Sequence, residues 1–326
     1  MKAWLLPQLG SIDLLTLSDI PEPAPAPGEV VLELEFAALN PADRYLAEGA
    51  YPARPTFPHV LGRDGIGKVS AIGAGVTDWK IGDEAVIVRS EVGVARQGTL
   101  AQKVAVPVES LVKPPATWSK EQAAGATLVY LTAWQALTQW GDLKPSVVLI
   151  TGASGGVGVA SIQLAKAMGH TVIGLSRGQT KKQALLDLGA DLILDPNDTQ
   201  WRKLVKQFLG EKRVDLAIDN IGGTLFAELI DTLGMWGKVS LVGRLAGPTP
   251  QFNTSTLFFR RLRIGGVAVG TYTPAESCAA WESVTSMLER TGATPLVDHV
   301  FAFDDLMNAF ARLREGPLGK VVLRVR

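Results

Sequence analysis

Residues 147–158 read VVLITGASGGVG: an apolar, β-branched run, then four glycines within the next seven positions. A strand buried on both faces of a parallel sheet reads as a continuous apolar run rather than an alternation. The glycines then bring nearly bare backbone to the start of residues 156–168, GVGVASIQLAKAM. There Val157, Ser161, Leu164 and Met168 fall on one helical stripe that can pack on a sheet. A second apolar run, residues 171–176, follows as the next strand. Strand, glycine turn, helix and strand together predict the first unit of a doubly wound, Rossmann-type parallel sheet. At such a turn the unpaired N–H groups and the helix dipole favour a pyrophosphate. Gly155, Gly156 and Gly158 supply the tight turn, the close ligand approach and the close helix–strand packing, with Ser154 and Val157 completing the loop.

Residues 176–182, SRGQTKK, follow the second strand with three positive charges, and residues 170–186 hold no acid. A site for NAD places an Asp or Glu about 20 residues beyond the glycines, on the ribose hydroxyls. An acid there repels a 2′-phosphate, whereas an Arg grips it with a planar fork of donors. Ser176, Arg177 and Lys181, with Lys182 behind them, therefore predict NADPH.

From residue 119 onward the chain alternates. Ser119 caps an Ala-rich helix running to residue 140. Helices are expected over 156–168, 181–188, 275–290 and 304–315, and strands over 192–194, 216–218, 239–242 and 320–325. The first 120 residues differ, with short strands punctuated by Gly and Pro. Val30, Leu32, Leu34 and Phe36 alternate with Glu33 and Glu35, the pattern of a half-buried strand. Residues 21–27, PEPAPAP, read as an extended surface connection. The expected class is α/β: a barrel-like β domain over residues 1–120, to which residues 270–326 return, and a dinucleotide-binding domain over 121–269. The 326 residues carry 32 basic and 32 acidic side chains, with no basic patch interleaved with aromatics, so no nucleic-acid partner is expected. No run approaches the ~18 apolar residues of a membrane span. The single cysteine, Cys278, excludes an internal disulfide framework and, with no signal-like N-terminus, predicts a cytoplasmic protein.

Several stretches together resemble the medium-chain dehydrogenase/reductase superfamily, and within it the zinc-independent quinone oxidoreductases. They are residues 36–52 (FAALNPADRYLAEGAYP), 58–86 (PHVLGRDGIGKVSAIGAGVTDWKIGDEAV), 131–137 (LTAWQAL), the TGASGGVG loop, 188–191 (LGAD), 214–223 (VDLAIDNIGG) and the closing LGKVVLRV. The resemblance implies a GroES-like catalytic domain built from both chain ends, a Rossmann domain between them, and an active site in the cleft. Zinc-dependent members place a Cys at the position of Asn40 and a His within Gly-His-Glu, which here reads Gly62-Arg63-Asp64. Their structural zinc needs four cysteines. His59, beside Pro58, reads as a turn residue, and no metal is expected.

The resemblance further implies that Asn40, Asp43, Tyr45 and Tyr51 border the nicotinamide. Asn40 and Tyr51 are candidate donors to an oxygen gaining negative charge, Tyr51 also a proton source, and Asp43 a loop-ordering residue. The family's Gly-Tyr-Pro segment is one residue longer here, Gly49-Ala50-Tyr51-Pro52. Thr132, Gly243, Val267 and Val269 are candidate cofactor contacts. The implied activity is NADPH-dependent reduction of quinones or α,β-unsaturated carbonyls without zinc. Reduction of 2-enoyl thioesters, or an NADPH-binding sensor without efficient turnover, are the alternatives. A homodimer pairing through residues 257–269, LFFRRLRIGGVAV, is implied as well.

Overall fold

The alternation of residues 30–37 lies in a ten-residue strand, Glu29–Ala38, with Val30, Leu32 and Leu34 fully buried. This strand pairs antiparallel with Asp64–Ile72, Lys103–Pro107 and the C-terminal strand Lys320–Arg324. The computed structural model describes residues 1–88, 91–141 and 143–326. It divides into two compact units: Met1–Leu128 with Val269–Glu282 and Thr294–Arg326, and Val129–Ala268 with Ser283–Ala293. In the first unit a seven-stranded sheet and a three-stranded one enclose a core that includes Leu32, Leu34, Leu61, Leu100, Phe310 and Val321. Lys320–Arg324 lies between Glu29–Ala38 and a parallel neighbour, Val297–Ala302, which sequence periodicity did not reveal. Because Val322 pairs with Ala38, the register sets Lys320 alongside Asn40. The helix Pro41–Ala47 follows at once, its start fixed by Pro41 in the first turn.

The second unit is a six-stranded sheet in which every neighbouring pair runs parallel. Val147–Thr151 stands at its centre, flanked by Thr171–Leu175 and Val214–Asp219, and all five of its residues are buried. The helix Gly156–Ala167 covers it, but the expected stripe is too narrow. Residues 158–165 are buried on every side, whereas Val157 and Met168 are half-buried. A helix packed all round carries no single apolar stripe for the sequence to display. The helix Lys120–Thr138 opens with a reciprocal cap between Ser119 and Gln122, each backbone N–H reaching the other's side chain.

Other differences have local causes. The strand expected over 239–242 is Leu233–Leu241, its pattern broken by Gly234, Gly237 and Trp236 at φ 62°. Helices Trp201–Leu209 and Thr224–Thr232 were not anticipated; each is nine residues long and neither begins with a side-chain cap. Residues 257–269 hold only a four-residue strand, Arg263–Gly266, at the edge of the sheet, preceded by the helix Ser255–Arg260. His59 is not a surface turn residue: it lies in the two-residue strand His59–Val60, 2% exposed, and burial lowers its pKa.

Candidate active site

The glycine turn has the geometry of a ligand cradle. Gly155 heads the helix at φ −73° and ψ 170°, and no side chain caps that end. The first N–H groups of a helix have no intrahelical acceptor, and those of Gly156, Val157 and Gly158 stand at this uncapped end. Gly152 turns at φ 60°. A Cβ on Gly158 would stand 2.4 Å from the Gly152 carbonyl oxygen, so only glycine permits this approach of helix to strand. Ser154 and Val157 are half-buried at the rim.

A network that sequence reasoning passed over braces the floor of this loop. Thr151 Oγ1 donates to Asp219 Oδ1 at 2.8 Å and accepts the Asn220 N–H at 2.9 Å, and Asn220 Nδ2 donates to the Thr151 carbonyl at 2.8 Å. The Ile221 and Gly222 amides close on the same Asp219 oxygen. Asp219, Asn220, Ile221 and Gly222 lie in VDLAIDNIGG, a stretch that family likeness alone marks in the sequence. Gly243 belongs to the same construction: its N–H reaches the Asp219 carbonyl at 3.1 Å, and a Cβ there would meet the Asn220 oxygen at 2.3 Å. Val267 is tied to the neighbouring strand through the Leu241 carbonyl. Thr132 is half-buried in the helix Lys120–Thr138, and Val269 falls within the first unit.

At the end of the second strand Ser176 is buried and Arg177 exposed, with Lys181 half-buried a turn later. An acid does stand nearby, from the third strand rather than the second. Asp195 accepts the Gly178 N–H at 3.3 Å and the Asn197 N–H at 2.9 Å. It lies beyond the interval in which the sequence showed no acid, and strand pairing brings it back.

In the first unit Asn40 is 4% exposed and its amide is held from both ends. Nδ2 donates to Asp64 Oδ2 at 2.9 Å, and Oδ1 accepts from the Lys320 ammonium at 2.7 Å. Lys320 also donates to Asp64 Oδ2 at 3.0 Å and to the Leu39 carbonyl at 2.9 Å. The other Asp64 oxygen takes Thr127 Oγ1 at 3.1 Å and the Leu128 N–H at 3.2 Å. One N–H of the Asn40 amide has no protein acceptor among the described residues.

Arg63 organises the neighbouring cluster. It is 3% exposed; Nη1 donates to the Tyr51 hydroxyl at 3.1 Å, Nη2 to the Ala42 carbonyl at 3.2 Å, and the guanidinium lies 4.3 Å over the Tyr51 ring. Since the Tyr51 oxygen accepts from Arg63, the phenolic proton points elsewhere. Asp43 Oδ1 is 3.4 Å from Arg63 Nε, and Asp43 Oδ2 accepts the Asn40 N–H at 2.8 Å, the loop-ordering contact expected of it. Complete burial raises the Asp43 pKa to about 6, against the lowering influence of Arg63. Tyr45 is half-buried, with the Arg44 guanidinium 5.4 Å over its ring. Arg63, Asp64 and Lys320 were visible in sequence only as a missing metal motif and a closing strand.

Two family models match the chain. The alcohol dehydrogenase GroES-like domain covers residues 26–116 and the zinc-binding dehydrogenase domain covers residues 156–290. The human quinone oxidoreductase is 25% identical, over 99% of this chain and 97% of its own. The rat synaptic vesicle membrane protein VAT-1 homolog is 29% identical, over 99% and 84%.

The chain belongs to the medium-chain dehydrogenase/reductase superfamily and is quinone oxidoreductase-like.

Solved structures of the superfamily include an NAD-dependent alcohol dehydrogenase, 29% identical with a TM-score of 0.91 and complete coverage of both chains. A mycobacterial protein solved with NADPH is 27% identical with a TM-score of 0.90, over 99% of this chain and 100% of that one. This superfamily member is thus an oxidoreductase that uses a nicotinamide cofactor. The zinc of the domain description does not fit its residues. The Arg63 guanidinium carries no lone pair for a metal, and the ammonium of Lys320 already sits on Asn40 and Asp64. Among the described residues no group of three or more His, Cys, Asp or Glu side chains could hold a metal ion. Among the described residues no helix is long and apolar enough to cross a membrane.

Proposed function

We propose that this chain is an NADPH-dependent reductase of quinones or α,β-unsaturated carbonyls that works without zinc. The observation that carries the reading is a pair of side-chain donors with unspent protons: the second N–H of Asn40 and the hydroxyl of Tyr51. Both suit an acceptor oxygen that gains negative charge. Bound in the second unit, the nicotinamide cofactor supplies the hydride. The helix start at Gly155–Gly158 would hold its pyrophosphate, and Arg177 with Lys181 and Ser176 its 2′-phosphate. In the first unit Asn40 donates to the acceptor oxygen, and Tyr51 donates a hydrogen bond or delivers the proton. Arg63 orients that hydroxyl through its own N–H. The exposed side chains Phe258, Phe259 and Ile264 around the free edge of Arg263–Gly266 support pairing of two copies there.

A second reading on cofactor choice rests on Asp195. Its carboxylate beside Gly178 would repel a 2′-phosphate and favour NADH. The test is oxidation of NADPH and of NADH, with a strong chelator present, against a benzoquinone, a naphthoquinone, an alkenal and a crotonyl thioester. Turnover with NADPH on a quinone or the alkenal is expected. Preference for the thioester would move the assignment to enoyl thioester reduction. Cofactor binding with no turnover on any acceptor would make the chain a sensor.

A further inference from the structure

The lysine of the closing LGKVVLRV stretch has no part in the reductase reading, yet it is among the most deeply engaged charges in the first unit. Lys320 is 4% exposed, and its ammonium meets three acceptors, one for each of its protons. Its stem runs against the helix Lys120–Thr138 where Gly125 leaves room; a Cβ at Gly125 would lie 3.1 Å from Lys320 Cβ and Cγ. An ammonium saturated in this way has no proton to offer a substrate, so it is not an acid in the reaction. What it does hold is one end of Asn40.

An asparagine amide can turn about its last torsion and present either its N–H or its carbonyl to a ligand. Only an N–H helps an oxygen that becomes negative. Lys320 is a pure donor and Asp64 a pure acceptor, and they grip opposite ends of the Asn40 amide. Turning the amide over would set its NH2 against the ammonium and its oxygen against the carboxylate, losing two charge-assisted bonds and making two repulsive contacts. Asp64 is held on its other side as well: the Leu128 amide donates to its second oxygen, and the Thr127 hydroxyl lies 3.1 Å from that oxygen, sharing its one proton with the Ile87 carbonyl at 2.6 Å. The ammonium also draws electron density from the amide carbonyl, which strengthens the remaining N–H as a donor.

We propose that Lys320 is a positioning residue, whose buried ammonium fixes the Asn40 amide so that it turns an N–H, and never its carbonyl, toward the acceptor. This rests on the reductase reading above. The strand register that sets Lys320 beside Asn40 ties the last strand of the chain to the reacting group, 280 residues away in sequence.

The test compares Lys320→Met with the wild type by two readouts. The first needs no turnover: the side-chain amide signals of Asn40 in a ¹⁵N–¹H spectrum, assigned by their loss in Asn40→Ala. The wild type should show two resolved protons, one exchanging slowly, and Lys320→Met should exchange them about tenfold faster or more. Equal exchange in both proteins overturns the proposal. The second readout is a double-mutant cycle on kcat with an enone. Lys320→Met should lower kcat about tenfold, less than outright loss of an oxyanion donor, with KM for NADPH unchanged. In the Asn40→Ala background it should lower kcat no further. Losses that multiply would show that Lys320 does not act through Asn40, since a merely structural lysine affects both backgrounds alike. If the single variant does not fold, Lys320→Gln, which fills the site with a neutral side chain and leaves Asp64 in place, is read by the same two measurements. A wild type that reduces no acceptor overturns the reductase reading before any variant is made, while the amide measurement still decides whether Lys320 fixes Asn40.

Discussion

Adding one methyl group at Gly155 and, separately, at Gly158 separates the glycine loop's work in folding from its work in binding. At Gly158 the new carbon would stand 2.4 Å from the Gly152 oxygen and 2.6 Å from the Ala153 carbonyl carbon and oxygen. All three are backbone atoms at the end of the central strand and cannot rotate away, so helix and strand must part. Overpacking of this kind costs about 1–3 kcal/mol, and replacing a helical glycine by alanine returns at most about 1 kcal/mol. With three backbone contacts this short the cost belongs at the upper end of that range, so a net loss of about 2 kcal/mol should lower the Tm by roughly 4–8 °C for a unit of this size, and the displaced helix start should bind NADPH poorly. At Gly155 the nearest atom would be the Gly152 oxygen at 3.5 Å, an ordinary contact, and the backbone at φ −73°, ψ 170° suits alanine. Gly155→Ala should therefore keep the wild-type Tm within a degree or two. In the cradle reading the helix N–H groups meet the pyrophosphate at this end, so a methyl on Gly155 should lower NADPH affinity at least about tenfold, or about 1.4 kcal/mol. Thermal unfolding and fluorescence titration with NADPH read both quantities. Wild-type NADPH affinity in Gly155→Ala would refute the cradle, and an unchanged Tm in Gly158→Ala would refute the close approach.

Three further outcomes are expected. Replacing Arg177 and Lys181 by Ala should weaken NADPH by roughly 10–150-fold per strong contact, since charge-assisted bonds contribute about 1.5–3 kcal/mol, and leave NADH little changed in the same titration; equal losses would show that neither side chain meets a 2′-phosphate. Tyr51→Phe should lower kcat for an enone roughly ten- to a hundredfold, less than the 10²–10³ of a sole oxyanion donor, and lower it less for a quinone; wild-type rates on both in steady-state kinetics would remove Tyr51 from the chemistry. For Asp43 the folded pKa, about 6, lies above the 3.8 of a free aspartate, so between those values the native state holds a proton that the unfolded state has released. In that window this carboxyl makes the protein less stable as the pH rises, by at most about 1.4 kcal/mol per pH unit. Comparing chemical unfolding of wild type and Asp43→Asn from pH 4 to 7 should show this slope only in the wild type, and parallel curves would refute the assignment.

The features that sequence alone determined are those whose physics is local. An apolar run ending in glycines specifies a buried strand and an open helix start, because burial on both faces and backbone exposed to a ligand each demand particular residues at fixed spacing. Val147–Thr151, Thr171–Leu175 and the turn between strand and helix were legible for that reason. Short helices such as Trp201–Leu209 and the strand broken at Trp236 were not, since few residues and interrupted periodicity leave little pattern. Asn40 and Tyr51 were named through resemblance, but not what holds them. Asp195 reaches the Arg177 turn only because Leu192–Leu194 pairs beside Thr171–Leu175. Lys320 reaches Asn40 and Asp64 only because the last strand returns beside Glu29–Ala38 in one register. Such contacts join residues far apart in the chain, and strand pairing leaves no spacing between them for a sequence to show. Sequence by itself determined the two kinds of unit and the glycine turn; the orientation of the donors in the first unit was decided by tertiary structure, because a buried amide points where its partners of opposite charge hold it.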